Sequence, residues 1–147
     1  MGYDPSGNII IYMNPMNIRF SQDSIKVEFG DYSQTGRTVF DTIRELQEGT
    51  ATADTIPAIK VLTSDFIIEH YAELDLEWYM VKYLRRGLTF TLDNRRLYAF
   101  QQANMQQIRV EYATREEIIA AKGKFSTLSK DFARKKYKFG TYIRVRD

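Results

Sequence analysis

The stretch Leu88-Thr-Phe-Thr-Leu-Asp-Asn-Arg-Arg-Leu-Tyr-Ala-Phe100 decides the fold that this sequence predicts. Its first five residues alternate leucine or phenylalanine with threonine, which is the period of a half-buried β-strand. Asp93 then offers an N-cap, and the apolar residues from Asn94 onward recur at helical spacing. The stretch therefore predicts a strand that passes directly into a helix.

Two arginines fall where a helix normally avoids cations. Arg95 and Arg96 lie in the first turn of the predicted helix, where free N–H groups and the macrodipole already make the helix end positive. A sequence that breaks a local rule often does so at a functional site. Two guanidinium groups beside free N–H groups favour an anion, above all a phosphate. The alternative is a solvated arginine pair that Asp93 partly neutralises.

The segment 92–100 also resembles a known family. Leu92-Asp-Asn-Arg-Arg-Leu-Tyr-Ala-Phe100 is similar to the G-E-R-R-x-x-A box of the ParB/sulfiredoxin-like superfamily, which binds the phosphates of a nucleotide or nucleic acid. The resemblance implies an α+β fold with a mixed sheet and flanking helices, and it covers roughly residues 17–112. Asp93 replaces the usual glycine and Asn94 the acidic residue of ParB. Asn94 also stands where sulfiredoxin keeps its catalytic cysteine, so a sulfiredoxin reaction is excluded.

The resemblance assigns roles to the residues of the box and of the first strand. It implies that phosphate is bound by four residues: Asn94, Arg95, Arg96 and Tyr98. It also brings the first strand close to the box, with Asp23, Gln22 and Asp93 as the candidate catalytic residues. Asp23 and Asp93 could hold one Mg²⁺ on a phosphate, or Asp23 could act as a base. The alternative is a bulge at 21–24 with self-satisfied side chains.

Residues 1–16 differ from the remainder of the chain. Asp4-Pro-Ser-Gly-Asn8 and Asn14-Pro15 predict turns around the apolar strand Ile9–Tyr12. This pattern resembles the end of the core of Rhs/YD-repeat proteins, which precedes a variable C-terminal toxin domain. The resemblance implies a leader at 1–16 and a single ParB/sulfiredoxin-like toxin domain at 17–147. Such a domain belongs to a secreted effector, acts in the cytoplasm of a target cell, and has a cognate immunity protein as a partner.

Composition excludes several kinds of chemistry. The 147 residues contain no cysteine, which removes disulfides, thiolate metal sites and cysteine nucleophiles. The one histidine, His70, cannot supply a two-histidine metal site, and we expect it to be structural. No apolar run approaches the roughly 20 residues of a membrane span, so no membrane partner is expected.

Positive charge is concentrated at the C-terminal end. Residues 122–147 hold nine basic and two acidic residues, whereas residues 1–121 hold 12 basic and 17 acidic ones. Tyr137, Phe139 and Tyr142 interleave with these cations and could stack on bases. The alternatives are a strand with one wet face, a solubilising tail, or a surface for an acidic inhibitor. The predicted nucleic-acid contacts are Lys135, Lys136, Lys138, Arg144 and Arg146.

Residues 65–86 look like a helical insertion into the resembling fold. They contain no glycine or proline, and their apolar residues recur at helical spacing, which predicts one helix. Glu69, Glu73 and Glu77 would form an acidic row on it. The aromatic residues Trp78, Tyr79 and Tyr83 could form a lid over the box or pack on the body of the domain.

The sequence thus favours a toxin domain that binds phosphate groups and acts on nucleic acid or nucleotides. Phosphodiester hydrolysis, a nuclease activity, is the first choice. The alternatives are a nucleotide-dependent phosphotransfer or hydrolysis, and a non-catalytic nucleotide- or DNA-binding module. Walker A, Rossmann and zinc signatures are absent from the sequence.

Overall fold

The computed structural model of the chain describes residues 2–3, 9–27, 37–52, 54–128 and 138–146. Its strands are β1 Gly2–Tyr3, β2 Ile9–Met13, β3 Arg19–Phe20, β4 Ser24–Lys26, β5 Ile59–Thr63, β6 Thr89–Thr91, β7 Ile108–Tyr112 and β8 Arg144–Arg146. Its α-helices are α1 Val39–Glu48, α2 Ser64–Glu69, α3 Trp78–Val81, α4 Asn94–Gln102 and α5 Arg115–Ala120. Short 3-10 helices lie at Pro15–Asn17, Tyr71–Leu74 and Lys122–Lys124.

Six strands form one mixed sheet in the order β1-β2-β7-β5-β6-β3. The β7–β5 and β6–β3 pairs are parallel, and the other pairs are antiparallel. The predicted α+β class with a mixed sheet is therefore confirmed. The strand β2, in the segment predicted as a leader, pairs with β7 and belongs to the same sheet. None of the described helices combines the length and the apolar character that crossing a bilayer requires.

Local signals in the sequence predict a helix from the Thr38 cap through Glu48 to a stop at Gly49, and a second helix at 115–122 with a capping box at Thr114. Thr38 caps α1 in a capping box with Asp41, and α1 ends at Gly49, whose φ of 81° is left-handed. Thr114 and Glu117 form a second capping box at α5. These elements match their predictions because a cap involves only residues three apart in sequence.

The sheet has a hydrophobic core on each face. Val61 and Leu62 are neighbours on β5, so their side chains point to opposite faces. Val61 packs in the core that α1 and α4 cover, whereas Leu62 packs in a second core with Phe125 and Phe139. The start of α4 consequently lies over the first face, at the edge where β6 ends.

Residues 64–88, which join β5 to β6 and which we call the insertion, cover the helix predicted at 65–86, but they are not one helix. They make α2, a 3-10 turn and α3, and Asp75 breaks the run with a φ of 58°. The two ends are held together: Ser64 N donates to the Leu88 carbonyl at 2.8 Å, and Gly87 N donates to Asp65 Oδ1 at 2.9 Å. Helical spacing alone did not reveal the break, since Ile67, Leu74 and Val81 recur at that spacing and are buried in the broken form too.

The C-terminal segment joins the fold through a second, two-stranded sheet. The alternating residues at 141–146 predict a final strand, whereas the observed strand β8 is limited to Arg144–Arg146 and pairs in parallel with β4. Gly140 precedes β8 with a φ of 69°, and its carbonyl accepts from Phe20 N at 2.8 Å. A Cβ atom on Gly140 would lie 2.1 Å from the Phe20 carbonyl oxygen, so this close approach requires glycine.

Candidate functional site

The start of α4 is built around Asp93, which occupies the N-cap position without capping the helix. Its side chain accepts no hydrogen bond from a backbone N–H group of the first turn. Instead, Asp93 Oδ2 accepts from Lys60 N at 2.6 Å, and Oδ1 accepts from Arg96 Nη2 at 2.8 Å. Asp93 therefore occupies the N-cap position, as predicted, but it makes no capping hydrogen bond. The carboxylate ties β5 to the helix and leaves the end of the macrodipole without a side-chain cap.

Asn94 joins the helix to the loop that follows β3. Its Oδ1 accepts from Ser21 N at 2.9 Å and from Gln22 N at 3.3 Å, and its Nδ2 donates to Ser21 Oγ at 3.0 Å. Asn94 and Ser21 are both buried. We call these contacts the Asn94 latch. These hydrogen bonds use the Asn94 side chain within the protein, so Asn94 holds the loop at Ser21 and Gln22 against the box.

A cavity of about 730 Å³ opens in front of the start of α4. Its walls come from α1, the loop before β5, the box, the 3-10 helix Lys122–Lys124 and the β4–β8 pair. Segments that are far apart in sequence therefore meet at one place. The described lining residues with charged or amide side chains are Gln22, Lys26, Arg37, Glu45, Asp93, Asn94, Arg95, Arg96, Lys124 and Arg146.

The lining carries an excess of positive charge. Among the described lining residues, six are cationic and two are carboxylates. Each carboxylate is held by an arginine: Glu45 by Arg37 at 2.7 Å, and Asp93 by Arg96 at 2.8 Å. Four further cations line the cavity, which are Lys26, Arg95, Lys124 and Arg146.

Arg95 and Arg146 are close enough to repel each other. Burial and the positive charge of Arg146 lower the pKa of Arg95 below its ordinary value. An anion that contacts both guanidinium groups would reduce the repulsion between them. Arg96 differs, since Asp93 and the Pro57 carbonyl accept from its guanidinium, the latter at 2.9 Å. Of the two box arginines, Arg95 is the one that lies beside a second cation.

The candidate catalytic residues are separated by the structure. Gln22 and Asp93 line the cavity, whereas Asp23 lies outside its lining. Asp23 Oδ1 accepts from Ser126 Oγ at 2.9 Å, and Asp23 N donates to the same hydroxyl at 3.1 Å. Tyr98, predicted to bind phosphate, also lies outside the lining and packs against the core under α4.

The Mg²⁺ hypothesis depends on Asp23 and Asp93 sharing one ion. Each has a carboxylate oxygen engaged by a protein donor, and both oxygens of Asp93 are so engaged. Among the described residues there is no group of three or more histidine, aspartate or glutamate side chains placed to hold a metal ion. Asp23 lies outside the lining that Asp93 belongs to, so this pair does not offer two free carboxylates to one Mg²⁺ in the cavity.

The basic tail reaches the cavity through β8. Arg146 lines the cavity, and Arg144 and Lys138 are exposed. Lys135, Lys136 and Tyr137 lie outside the described residues. The prediction that Phe139 could stack on a base is wrong, because Phe139 is buried in the second core. Tyr142 is exposed over 52% of its surface.

The insertion contributes nothing to the cavity lining. Trp78, Tyr79 and Tyr83 are exposed, and none is among the described lining residues, so the predicted lid is not seen. The predicted structural part of His70 agrees with its contacts: its ring stacks on Phe66 at 4.5 Å, and its Nδ1 lies 3.1 Å from Glu73.

Sequence reasoning missed three cations of the site: Lys26, Arg37 and Lys124. The alternating residues 25–29 predict a strand in which Lys26 is merely a polar residue between Ile25 and Val27, and Arg37 is merely the residue before the predicted Thr38 cap. Their convergence on the box depends on tertiary contacts, which no local pattern encodes.

Comparison with known proteins assigns the chain to no family. The chain matches no family model, no curated protein and no solved structure. The function of the cavity is therefore inferred from its own residues.

Proposed function

We propose that the chain binds the phosphate groups of a nucleotide or nucleic acid in the cavity at the start of α4. The observation that carries the proposal is that Arg95 and Arg146 line one cavity, whose described lining has six cations and two carboxylates. A cavity of about 730 Å³ has the size of a small-molecule or nucleotide site. The uncapped start of α4 adds backbone N–H groups and a positive dipole end on the same side.

The activity we propose for this site is phosphodiester hydrolysis by the toxin domain of an Rhs-like effector. Its support is the resemblance of segments 1–16 and 92–100, together with the cavity. Gln22 is the candidate for orienting water, since it lines the cavity beside the box. The same reading makes the chain a secreted effector that acts in the cytoplasm of a target cell and is neutralised by an immunity protein.

Binding is tested by titrating the chain with inorganic pyrophosphate in a calorimeter. The variant Arg95→Gln removes a charge-assisted contact that is worth roughly 1.5–3 kcal/mol. We expect its affinity to fall about 10- to 100-fold. Arg86→Gln is the matched control, because Arg86 is paired with Asp65 and Glu69 in the insertion. Equal affinities of the wild type and Arg95→Gln would refute the site.

Toxicity is tested by expressing the chain in the cytosol of a bacterial host. We expect wild type and Arg86→Gln to stop growth and Arg95→Gln to permit it, at equal levels of folded protein. Harmless wild-type expression with pyrophosphate binding retained would reject the nuclease and leave a non-catalytic module.

A further inference from the structure

We propose that the ligand of the cavity is single-stranded nucleic acid, and that the strand leaves the cavity along the outer face of the β4–β8 pair. This inference rests on the proposed function, because the cavity supplies the first phosphate contact. It adds a second contact surface and selects one class among the phosphate-bearing ligands.

The outer face of the β4–β8 pair is cationic. The parallel register places Ser24 beside Arg144 and Lys26 beside Arg146, so these four side chains share one side. Arg146 Nε donates to Ser24 Oγ at 3.0 Å, which confirms that they meet there. The opposite side carries Ile25, which is buried in the core. We call the side with Lys26, Arg144 and Arg146 the cationic face.

The cationic face continues the cavity outward. Lys26 and Arg146 line the cavity, whereas Arg144 lies beyond its lining and is exposed. Residues two apart on a strand are separated by about 6.6 Å. That separation suits neighbouring phosphates of an extended nucleic-acid strand, so Arg146 and Arg144 can each meet one phosphate.

An exposed aromatic ring lies next to this path. Exposure alternates from Tyr142 through buried Ile143 to exposed Arg144. Cations followed by an exposed ring are the combination with which proteins hold unpaired bases. A duplex keeps its bases stacked inside and offers none of them to the Tyr142 ring. These features favour a single strand over a duplex.

The test compares thymidine monophosphate with an octamer of thymidylate, both as competitors of a fluorescein-labelled octamer in anisotropy titrations with EDTA. We expect the octamer to bind at least ten-fold more tightly than the monophosphate. Arg144→Gln and Tyr142→Ala should each weaken octamer binding about ten-fold and leave monophosphate binding unchanged. The salt dependence of octamer binding should become shallower in Arg144→Gln, by about 0.7 in the logarithmic slope.

The outcomes separate this inference from the proposed function. Arg95→Gln should weaken both ligands, and Arg86→Gln should weaken neither. Equal binding of octamer and monophosphate by the wild type, with Arg95 still required, would overturn the strand path and keep the cavity as a mononucleotide site. Tighter binding of a duplex of the same length would overturn the choice of a single strand. If the wild type bound neither the octamer nor the monophosphate, the proposed function itself would be refuted.

Discussion

The cavity and the insertion are both rich in charge, but they neutralise it differently. In the insertion, residues 64–88, four carboxylates each lie within ion-pair distance of a cation: Asp65 and Glu69 of Arg86, Glu73 of Arg115, and Asp75 of Lys122. In the cavity, the described lining holds six cations and two carboxylates. Charge that is paired holds elements together, whereas an excess of one sign attracts a ligand of the other.

Two glutamates of the predicted acidic row are also paired with cations. Glu69, Glu73 and Glu77 were expected on one helical face, yet the first two pair with arginines from outside α2, Arg86 and Arg115. These exposed pairs contribute little to stability. The Glu73–Arg115 pair joins the insertion to α5, whereas the Glu69–Arg86 pair lies within the insertion, so Glu69 and Glu73 form no acidic patch of the predicted kind.

The largest expected effect comes from closing the space at Gly140. Gly140→Ala would place a methyl group against the Phe20 carbonyl and would force a left-handed φ on alanine, so we expect a loss of about 4 kcal/mol or more in unfolding free energy. Gly87→Ala, in the insertion, has the same strain but open space, and should lose about 1–2 kcal/mol. Urea unfolding measures both; equal losses would show that β8 does not dock as closely as described.

A core substitution in the insertion should leave the cavity intact. Leu74 is completely buried in the second core, and Leu74→Ala should lower the unfolding free energy by about 3 kcal/mol. Pyrophosphate affinity of the folded fraction should not change, because the insertion lines no part of the cavity. A ten-fold weaker affinity of Leu74→Ala for pyrophosphate would show that the insertion and the cavity are not independent.

Breaking the Asn94 latch should affect stability and binding together. Asn94→Ala leaves the buried amide of Ser21 without its acceptor, at a cost of about 2 kcal/mol. Asn94→Asp keeps an acceptor oxygen and should cost less stability, but its charge should weaken pyrophosphate binding. Calorimetric titrations and urea unfolding of both variants test this. Unchanged stability in Asn94→Ala would contradict the latch.

The smallest expected effect is the response of the insertion to acid. The Gly87 N–H and then the Arg86 guanidinium hold the pKa of Asp65 below its ordinary value. Asp65 therefore contributes stability above its unfolded pKa of about 3.9, and this is lost as the pH falls through the lower folded value. Urea unfolding from about pH 6 to about pH 3 should show a smaller decrease for Asp65→Asn than for wild type. An equal decrease would mean that the Asp65 contact does not contribute.

Local structure could be predicted where residues close in sequence decide it. The capping boxes at Thr38 and Thr114 and the passage from β6 into α4 follow from spacings of two to four residues. The break at Asp75 could not be predicted, since nothing in the local pattern distinguishes a continuous helix from three short pieces that bury the same apolar residues.

Only part of the site could be predicted from sequence. The position of Arg95 in the first helical turn identified the box, because a misplaced cation is visible locally. The pairing of Arg96 with Asp93 and the approach of Arg146 depend on tertiary contacts. Asp23 was placed near the box by resemblance, but its partner Ser126 comes from a distant segment that the sequence pattern did not connect to it.

The most direct measurement is a crystal structure of the chain with pyrophosphate bound. The account predicts phosphate oxygens within hydrogen-bond distance of Arg95 and Arg146, in front of the first N–H groups of α4. Pyrophosphate bound along the insertion instead, with the cavity in front of α4 occupied by protein side chains, would contradict it.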